Sequence, residues 1–399
     1  MDARILPLCL LSLVASAQNV QKIVEGNNTF TFKLYKEVKS FPDKNLFFSP
    51  FSISTALAMT YAGAKKETSL QIRRTMNFPQ GKTFHTDYKH LLEMLKEGTG
   101  DKIKLNFADG LWAQKGYRFL DSYFILVKMN YKSEIKNVDF NDDSEREKAR
   151  RGINLWVEQK TNDKIKDLLT PNDLTSMTRL VLVNAIYFYG EWAKPFEIES
   201  TIPDNFFLLD KTRIKVEFMN QCGSYNYFED PDIKVLEIPY KDSKASLVIL
   251  LPNKKDGILE LEKSIDYKYY LDVIGLFRTE NVQLSLPKFK TTFKINLGNT
   301  LSQMGMPLAF SPKNADFSGM TGKRDLCISE VIHQAFIAVD EKGTEAAAAT
   351  AVIMKMMAMR PSNDIKVFNA DHPFIFLIKD NATGCILFMG KMMNPKASE

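Results

Sequence analysis

The side chains that could do chemistry are few and do not converge. The chain of 399 residues has four histidines, His85, His90, His333 and His372. They lack metal-ligand spacing, and there is no His-Glu-x-x-His. Gly81-Lys82-Thr83 has the ending of a phosphate-cradling loop. That pattern needs a glycine five residues before Gly81, and Met76 stands there. No Gly-x-Ser-x-Gly elbow offers an α/β-hydrolase nucleophile. Acidic side chains are plentiful but scattered, so paired carboxylates for glycoside cleavage do not emerge. The histidines read as structural, no metal is called for, and the chain reads as a protein that is not an enzyme.

Cysteine chemistry is no richer. Cys9 lies in the leader described below; Cys222, Cys327 and Cys385 are an odd number at wide spacing, without a Cys-x-x-Cys pair. One disulfide plus a free thiol and three buried thiols both fit, so the core must rest on burial. The remaining unusual segment carries almost no reactive groups. Thr344-Glu345-Ala346-Ala347-Ala348-Ala349-Thr350-Ala351 and the Met-rich stretch after it are helix-forming by propensity. Yet the segment has no amphipathic face, no charge between Glu345 and Lys355, and a stop near Pro361.

The elements around these groups follow from patterning. Ser49-Pro50 followed by Phe51, Ile53, Ala56, Leu57 and Met59 predicts a buried helix with a serine cap and proline at its start. Residues 87–96 and 149–169 carry helical stripes, the second with Ile153, Trp156, Val157, Ile165 and Leu168. Strands are predicted at 180–188, 235–239, 246–251 and 282–287, with a hairpin of 374–378 and 385–389 about the turn 380–384. Helices first and strands later, without regular alternation, give an α+β protein.

Composition narrows the classes further. A hydrophobic content of 45% is ordinary for a globular chain, and a net charge of +5 with both signs mixed gives no case for nucleic acid. Met1 to Arg4, the apolar run from Ile5 to Val14 and the small residues Ala15-Ser16-Ala17 read as a signal peptide over 1–17. The mature chain then begins at Gln18 as a single domain over 18–399, secreted and without a membrane anchor. The sequons at Asn27 and Asn381 fit a secreted glycoprotein.

Five segments in register resemble one family. Residues 45–54 (NLFFSPFSIS) resemble the opening of the second helix of serpins, and 184–192 (NAIYFYGEW) the strand leading to the top of their large sheet. Residues 340–350 (DEKGTEAAAAT) look like the serpin hinge, 368–374 (FNADHPF) the C-terminal signature, and 387–391 (LFMGK) the final strand. The likeness runs from about Asn27 to Pro395. It implies three β-sheets, eight or nine helices and an exposed reactive-centre loop over about 341–361. It also implies an inhibitor of serine proteases. The target cleaves the loop and forms an acyl-enzyme, and the loop enters the large sheet as a new strand, leaving a covalent complex. Strand insertion of this kind is a known stored-strain switch of the family.

The residues can be tested against that mechanism. Successive side chains of an inserted strand alternate between faces. Thr344, Ala346, Ala348, Thr350 and Val352 fall on one face, all small or β-branched, and Glu345, Ala347, Ala349 and Ala351 on the other. Gly343 supplies backbone freedom at the turning point. This pattern favours a true inhibitor over a non-inhibitory carrier, storage protein or chaperone of the same family. By the resemblance, Ser49, Ser52, Asn184 and His333 match a buried hydrogen-bond cluster beneath the sheet (the shutter), Trp192 the aromatic at the loop entry (the breach), and Lys288 with Glu341 an ion pair at the hinge. The resemblance also implies a reactive bond after the fifteenth residue from the hinge glycine Gly343, which is Met357–Ala358, with Met356, Met359 and Arg360 as alternative registers. A methionine there suits elastase-, chymotrypsin- or cathepsin G-like proteases, whereas a trypsin-like target would use Arg360 or Lys355. No cofactor is called for. Lys82, Lys89, His90 and Lys96 could hold a polyanion such as heparin, but their acidic neighbours Asp87, Glu93 and Glu97 read as a solvated mixed face. The chain is expected to be a monomer until it meets its protease.

Overall fold

The computed structural model describes residues 5–39, 44–97, 102–344 and 365–397. The hinge residues Glu345, Ala346, Ala347, Ala348, Ala349 and Thr350, the bond Met357–Ala358, and Lys355, Met356, Met359 and Arg360 lie outside the described residues. In chain order the elements are α1 (Ile5–Val38), β1 (Leu46–Phe48), α2 (Pro50–Gly63), α3 (Lys66–Thr75), α4 (Phe84–Glu97), β2 (Ile103–Gln114), α5 (Asp121–Tyr131), β3 (Glu134–Val138), α6 (Asp143–Lys160), β4 (Leu180–Glu191), β5 (Ile202–Phe207), β6 (Arg213–Glu229), β7 (Ile233–Pro239) and β8 (Ala245–Pro252). Then come α7 (Ile258–Ser264), α8 (Tyr267–Ile274), β9 (Arg278–Pro287), β10 (Phe289–Asn296), α9 (Gly298–Gln303), α10 (Ser318–Thr321), β11 (Glu330–Val339), β12 (Gly343–Thr344), β13 (Lys366–Asn369), β14 (Phe374–Asp380) and β15 (Ile386–Met392).

A six-stranded sheet runs β10-β11-β12-β4-β2-β3. β4 is a near-continuous apolar run because both of its faces are covered. Leu180, Leu182, Ile186 and Phe188 pack in one core with α2, while Val181, Val183, Ala185 and Tyr187 pack in a second core with Ile153 and Val157 of α6. Asn184 therefore belongs to the α2 face by strand alternation. α2 is buried nearly all round, as a helix at the centre of a large core must be. Ser49 caps it: its side chain accepts from the Ser52 N–H at 3.1 Å, with Pro50 at the first helical position.

The remaining strands form a nine-stranded ladder, β1-β15-β14-β8-β7-β6-β9-β13, with β5 also on β6. The three sheets implied by the family resemblance are present as two hydrogen-bonded ladders, because β6, at 17 residues, pairs with β5 and β9 along one part and β7 along the other. The ten α-helices among the described residues exceed eight or nine because segments as short as α10 are included. The hairpin β14–β15 forms with a register shift between Ile378 and Lys379.

The stripe read as one helix over 149–169 is not one helix. α6 starts earlier, where the Asp142 side chain accepts from the Glu145 N–H at 2.9 Å, and stops at Lys160. Asn162 and Asp163 take positive φ, which ends the helix, and Ile165 and Leu168 are buried from the loop that follows. α1 continues unbroken from Ile5 through the cleavage site expected at Ala17. Among the described residues no helix is long and apolar enough to cross a membrane.

Candidate functional site

The seam between β4 and β11 is the unusual feature of the large sheet. From Glu330 opposite Val181 to Phe336 opposite Tyr187 the two strands pair directly, and in parallel. Parallel ladders have slanted bonds and are slightly weaker per residue than antiparallel ones. At the top the strands part and admit β12, antiparallel to both, with Thr344 opposite Val339 on one side and Gly190 on the other. Among the described residues, Gly343 and Thr344 form a new strand there.

A turn from Asp340 to Gly343 brings β12 into that slot. Its Asp340 N–H donates to the Gly343 carbonyl at 2.9 Å, and the Asp340 carboxylate accepts from the Lys342 N–H at 2.9 Å. Trp192 pins the turn, its N–H donating to the Lys342 carbonyl and its Nε1 to the Asp340 carbonyl, each at 2.9 Å. The Trp192 ring stacks on Tyr240 at 4.7 Å between centroids. Tyr240 Oη shares a 2.6 Å hydrogen bond with Thr344 Oγ1, so the buried Thr344 side chain points into the core. Glu341 Oε1 accepts from Lys288 Nζ at 3.0 Å and Thr201 Oγ1 at 2.9 Å. Burial alone would raise the Glu341 carboxyl, but its backbone bond, Lys288 and Thr201 outweigh that and hold it below the usual range. The Lys288 side chain is 33% exposed and that of Glu341 11%, so this pair is better shielded than an ordinary surface pair.

Below the slot, Ser49, Ser52, Asn184 and His333 come together, all buried. Asn184 and His333 are direct partners in the parallel ladder. The Ser49 N–H donates to His333 Nε2 at 3.1 Å, which fixes Nδ1 as the protonated nitrogen, donating to Asn184 Oδ1. Ser49 Oγ donates to the Leu387 carbonyl of β15 at 2.7 Å. Burial lowers the His333 imidazole to about 3, so the ring is neutral. Asn184 Nδ2 donates to Ser52 Oγ and to Asp109 Oδ1, and Ser52 Oγ to the same carboxyl oxygen at 3.3 Å. The result is a closed polar network between α2, β2, β4, β11 and β15, which specifies one spacing of the strands.

Three contributors escape motif reading. Asp109 is a carboxyl in mid-strand between Ala108 and Gly110; aspartate is rare in strands, and that oddity was the available signal. Tyr240 and Thr201 carry no local signal, because only tertiary packing brings them to the hinge.

The structure also bears on the sequons, the hinge glycine, the cysteines, the histidines and the basic face. Asn27 is 2% exposed and its Nδ2 donates to the Ile386 carbonyl at 3.0 Å, so this packed amide leaves no room for a glycan. Asn381 is half-buried, with Nδ2 donating to the Ser243 carbonyl and Ser246 Oγ. Gly343 does not take positive φ; it is there because the backbone passes Gly190 too closely for a side chain. Cys222, Cys327 and Cys385 are all free, and Cys222 is exposed rather than buried. The histidines are dispersed. His85 meets Tyr131 Oη, and His372 is held between Asp371 and the Pro252 carbonyl. No group of metal-ligating residues occurs among the described residues. Lys89 and Lys96 lie on α4, where Lys89 is 3.7 Å from Glu93.

A model of the serpin family, described as serine protease inhibitor, matches residues 25–395. An uncharacterised serpin-like protein of Thermococcus kodakarensis is 42% identical over 94% of this chain and 86% of its own. The leukocyte elastase inhibitor of Xenopus laevis is 39% identical over 92% of this chain and 97% of its own. Among solved structures, human thyroxine-binding globulin superposes with a TM-score of 0.85 at 33% identity, covering 95% of this chain and all of that one. With the two-residue strand β12 seated at the top of a parallel seam, and with these likenesses over nearly its whole length, the chain belongs to the serpin family.

Proposed function

We propose that this serpin is a secreted inhibitor that traps serine proteases by loop cleavage and strand insertion. The observation that carries the reading is β12, already antiparallel to both β4 and β11 above the stretch where those strands still pair with each other. Continuing either register from Thr344 brings Thr350 opposite Asn184 on β4 and opposite His333 on β11. The two registers agree, so the alanine-rich segment fits this seam as one strand. Thr344 already faces inward, which sets Ala346, Ala348 and Thr350 inward too.

The chemistry before insertion belongs to the target. Its serine oxygen attacks the Met357 carbonyl carbon, the Met357–Ala358 bond breaks, and the serine proton passes through the protease's own base to the Ala358 amine. An ester between protease and Met357 remains. Entry of the loop then competes with hydrolysis of that ester. A methionine in this position points to elastase-, chymotrypsin- or cathepsin G-like targets. The leader over 1–17 supports secretion. The protein itself supplies no catalytic group, cofactor or metal, and acts as a monomer.

Mixing with chymotrypsin, elastase and trypsin tests the reading. An SDS-stable complex with a loop cut after Met357 supports it. Cleavage without a complex would sink it and favour a carrier, the second reading that the likeness to thyroxine-binding globulin keeps in view.

A further inference from the structure

The end of α5 and the strand after it enclose a cavity that plays no part in the hinge or the seam. Lys132 caps α5 in the left-handed region, at φ 53°, and turns the chain straight into β3. β3 is the outermost strand of the six-stranded sheet, and among the described residues it pairs only with β2. The angle between the last two turns of α5 and the start of β3 holds an open cavity of about 430 Å³. Pockets that take small ligands run from about 300 to about 1,000 Å³.

The lining combines hydrocarbon with positive charge. Phe124 of α5, 42% exposed, and Ile135 of β3 supply apolar surface. Lys128, Lys132 and Lys136 add hydrocarbon stems as well as charge. Lys128 and Lys132 have no ion-pair partner among the described residues. Lys96 of α4 adds to the positive field. Burial first, and Lys132 second, hold its ammonium below the usual range, against the pull of Asp109 and Glu93. The acid in the lining is already engaged: Glu134 Oε1 accepts from Trp156 Nε1 at 3.0 Å, and its Oε2 lies 2.7 Å from Lys136 Nζ. The Ser133 hydroxyl donates to the Tyr131 carbonyl at 3.3 Å. Apolar surface and ammonium groups are therefore what the cavity offers a ligand.

The charge balance narrows the ligand. Three lysines and one glutamate leave a formal charge of +2 in the lining (3 − 1). The C-terminal end of α5 carries about half a negative charge from its dipole, which offsets part of that. The remainder suits one carboxylate better than a polyphosphate or a sulfated chain. A polyanion would also leave Phe124 and Ile135 uncovered, whereas a hydrocarbon chain would take them out of water.

We propose that this cavity binds a fatty carboxylate, its chain lying on Phe124 and Ile135 and its headgroup pairing with Lys128 and Lys132. The site goes beyond the inhibitor reading and does not depend on it.

Isothermal titration of the full chain with decanoate is the test. One saturable site per chain is expected. Decyltrimethylammonium, with the same tail and the opposite charge, should not occupy it, and neither should acetate, which lacks the tail. The double variant Lys128→Gln, Lys132→Gln should bind decanoate roughly five- to tenfold more weakly, the effect of two partly exposed ion pairs. Equal affinity in the variant, or equal binding of the anionic and cationic tails, would overturn the proposal. Displacement of decanoate by heparin would overturn it in favour of a polyanion face. Tighter binding to phosphatidylglycerol vesicles than to free decanoate would overturn it in favour of a membrane surface. If the double variant does not fold, Phe124→Ser decides: weaker binding supports the site, and unchanged binding defeats it.

Discussion

A Cβ placed on Gly343 would lie 2.0 Å from the carbonyl oxygen of Gly190, and 2.8 Å from the Glu191 Cα. The hinge thus enters the sheet where neither chain can yield, since both obstacles are backbone. Gly343→Ala should push β12 out of its slot and break its pairing with β4. A loss of roughly 1–3 kcal/mol is expected, the usual range for overpacking. Melting temperature and limited proteolysis near the hinge would show it; an unchanged protein on both counts would refute the close-approach argument.

Thr344 tests entry itself. Its side chain is fully buried and bonded to Tyr240 Oη. Thr344→Arg places a long cation where a small hydroxyl sits, on the face that must slide against the core. Protease should still cut the loop, but hydrolysis should outrun entry. The expected outcome is a cleaved protein and an active protease, read from the stoichiometry of inhibition.

The network predicts a compensated pH profile. His333, lowered to about 3 in the fold, binds fewer protons than it would unfolded at about 6.5. Its contribution is therefore complete above about pH 6.5 and is lost as the pH falls toward 3. Asp109, raised to about 7, does the reverse: its contribution is complete below an unfolded value of about 3.9 and is lost as the pH rises toward 7. Between about pH 4 and 6.5 the two slopes oppose each other. Asp109→Asn alone should gain stability as the pH rises through that window, and His333→Gln alone should lose it. Thermal scans at a fixed rate would check this; two variants with the same slope would contradict it.

The bait predicts sensitivity to oxidant. Met354, Met356, Met357 and Met359 lie in the proposed loop, and a sulfoxide turns an apolar side chain polar. Mild oxidation should slow association with an elastase- or chymotrypsin-like protease. Association kinetics that stay the same after confirmed oxidation of Met357 would move the reactive bond elsewhere.

How much of this was legible depended on range. Ser49-Pro50 announces a capped helix because the signal lies within adjacent residues, and the apolar run of β4 announces a strand covered on both faces. Thr344 opens the stretch of helix-forming propensity yet lies in strand β12, in a slot that only the folded sheet creates. Met- and Ala-level detail of the bait stayed with the sequence. Tyr240 and Thr201 were invisible for a physical reason, and Asp109 showed only as an odd residue in a strand: each acts through a partner 57 to 140 positions away. Asn27 shows the converse, a correct local motif cancelled by burial.

The parallel seam between β4 and β11 has a consequence for how long the protein stays useful. Any strand that is antiparallel to both and carries small inward residues fits it, whether it comes from the chain's own loop, a synthetic peptide or a second molecule. If the loop inserts as proposed, the competent form is kept by a barrier rather than by being the lowest state, and its proper measure is a half-life at a given temperature and concentration. Substitutions that tighten the seam should lengthen storage life and, by the same barrier, slow the trap.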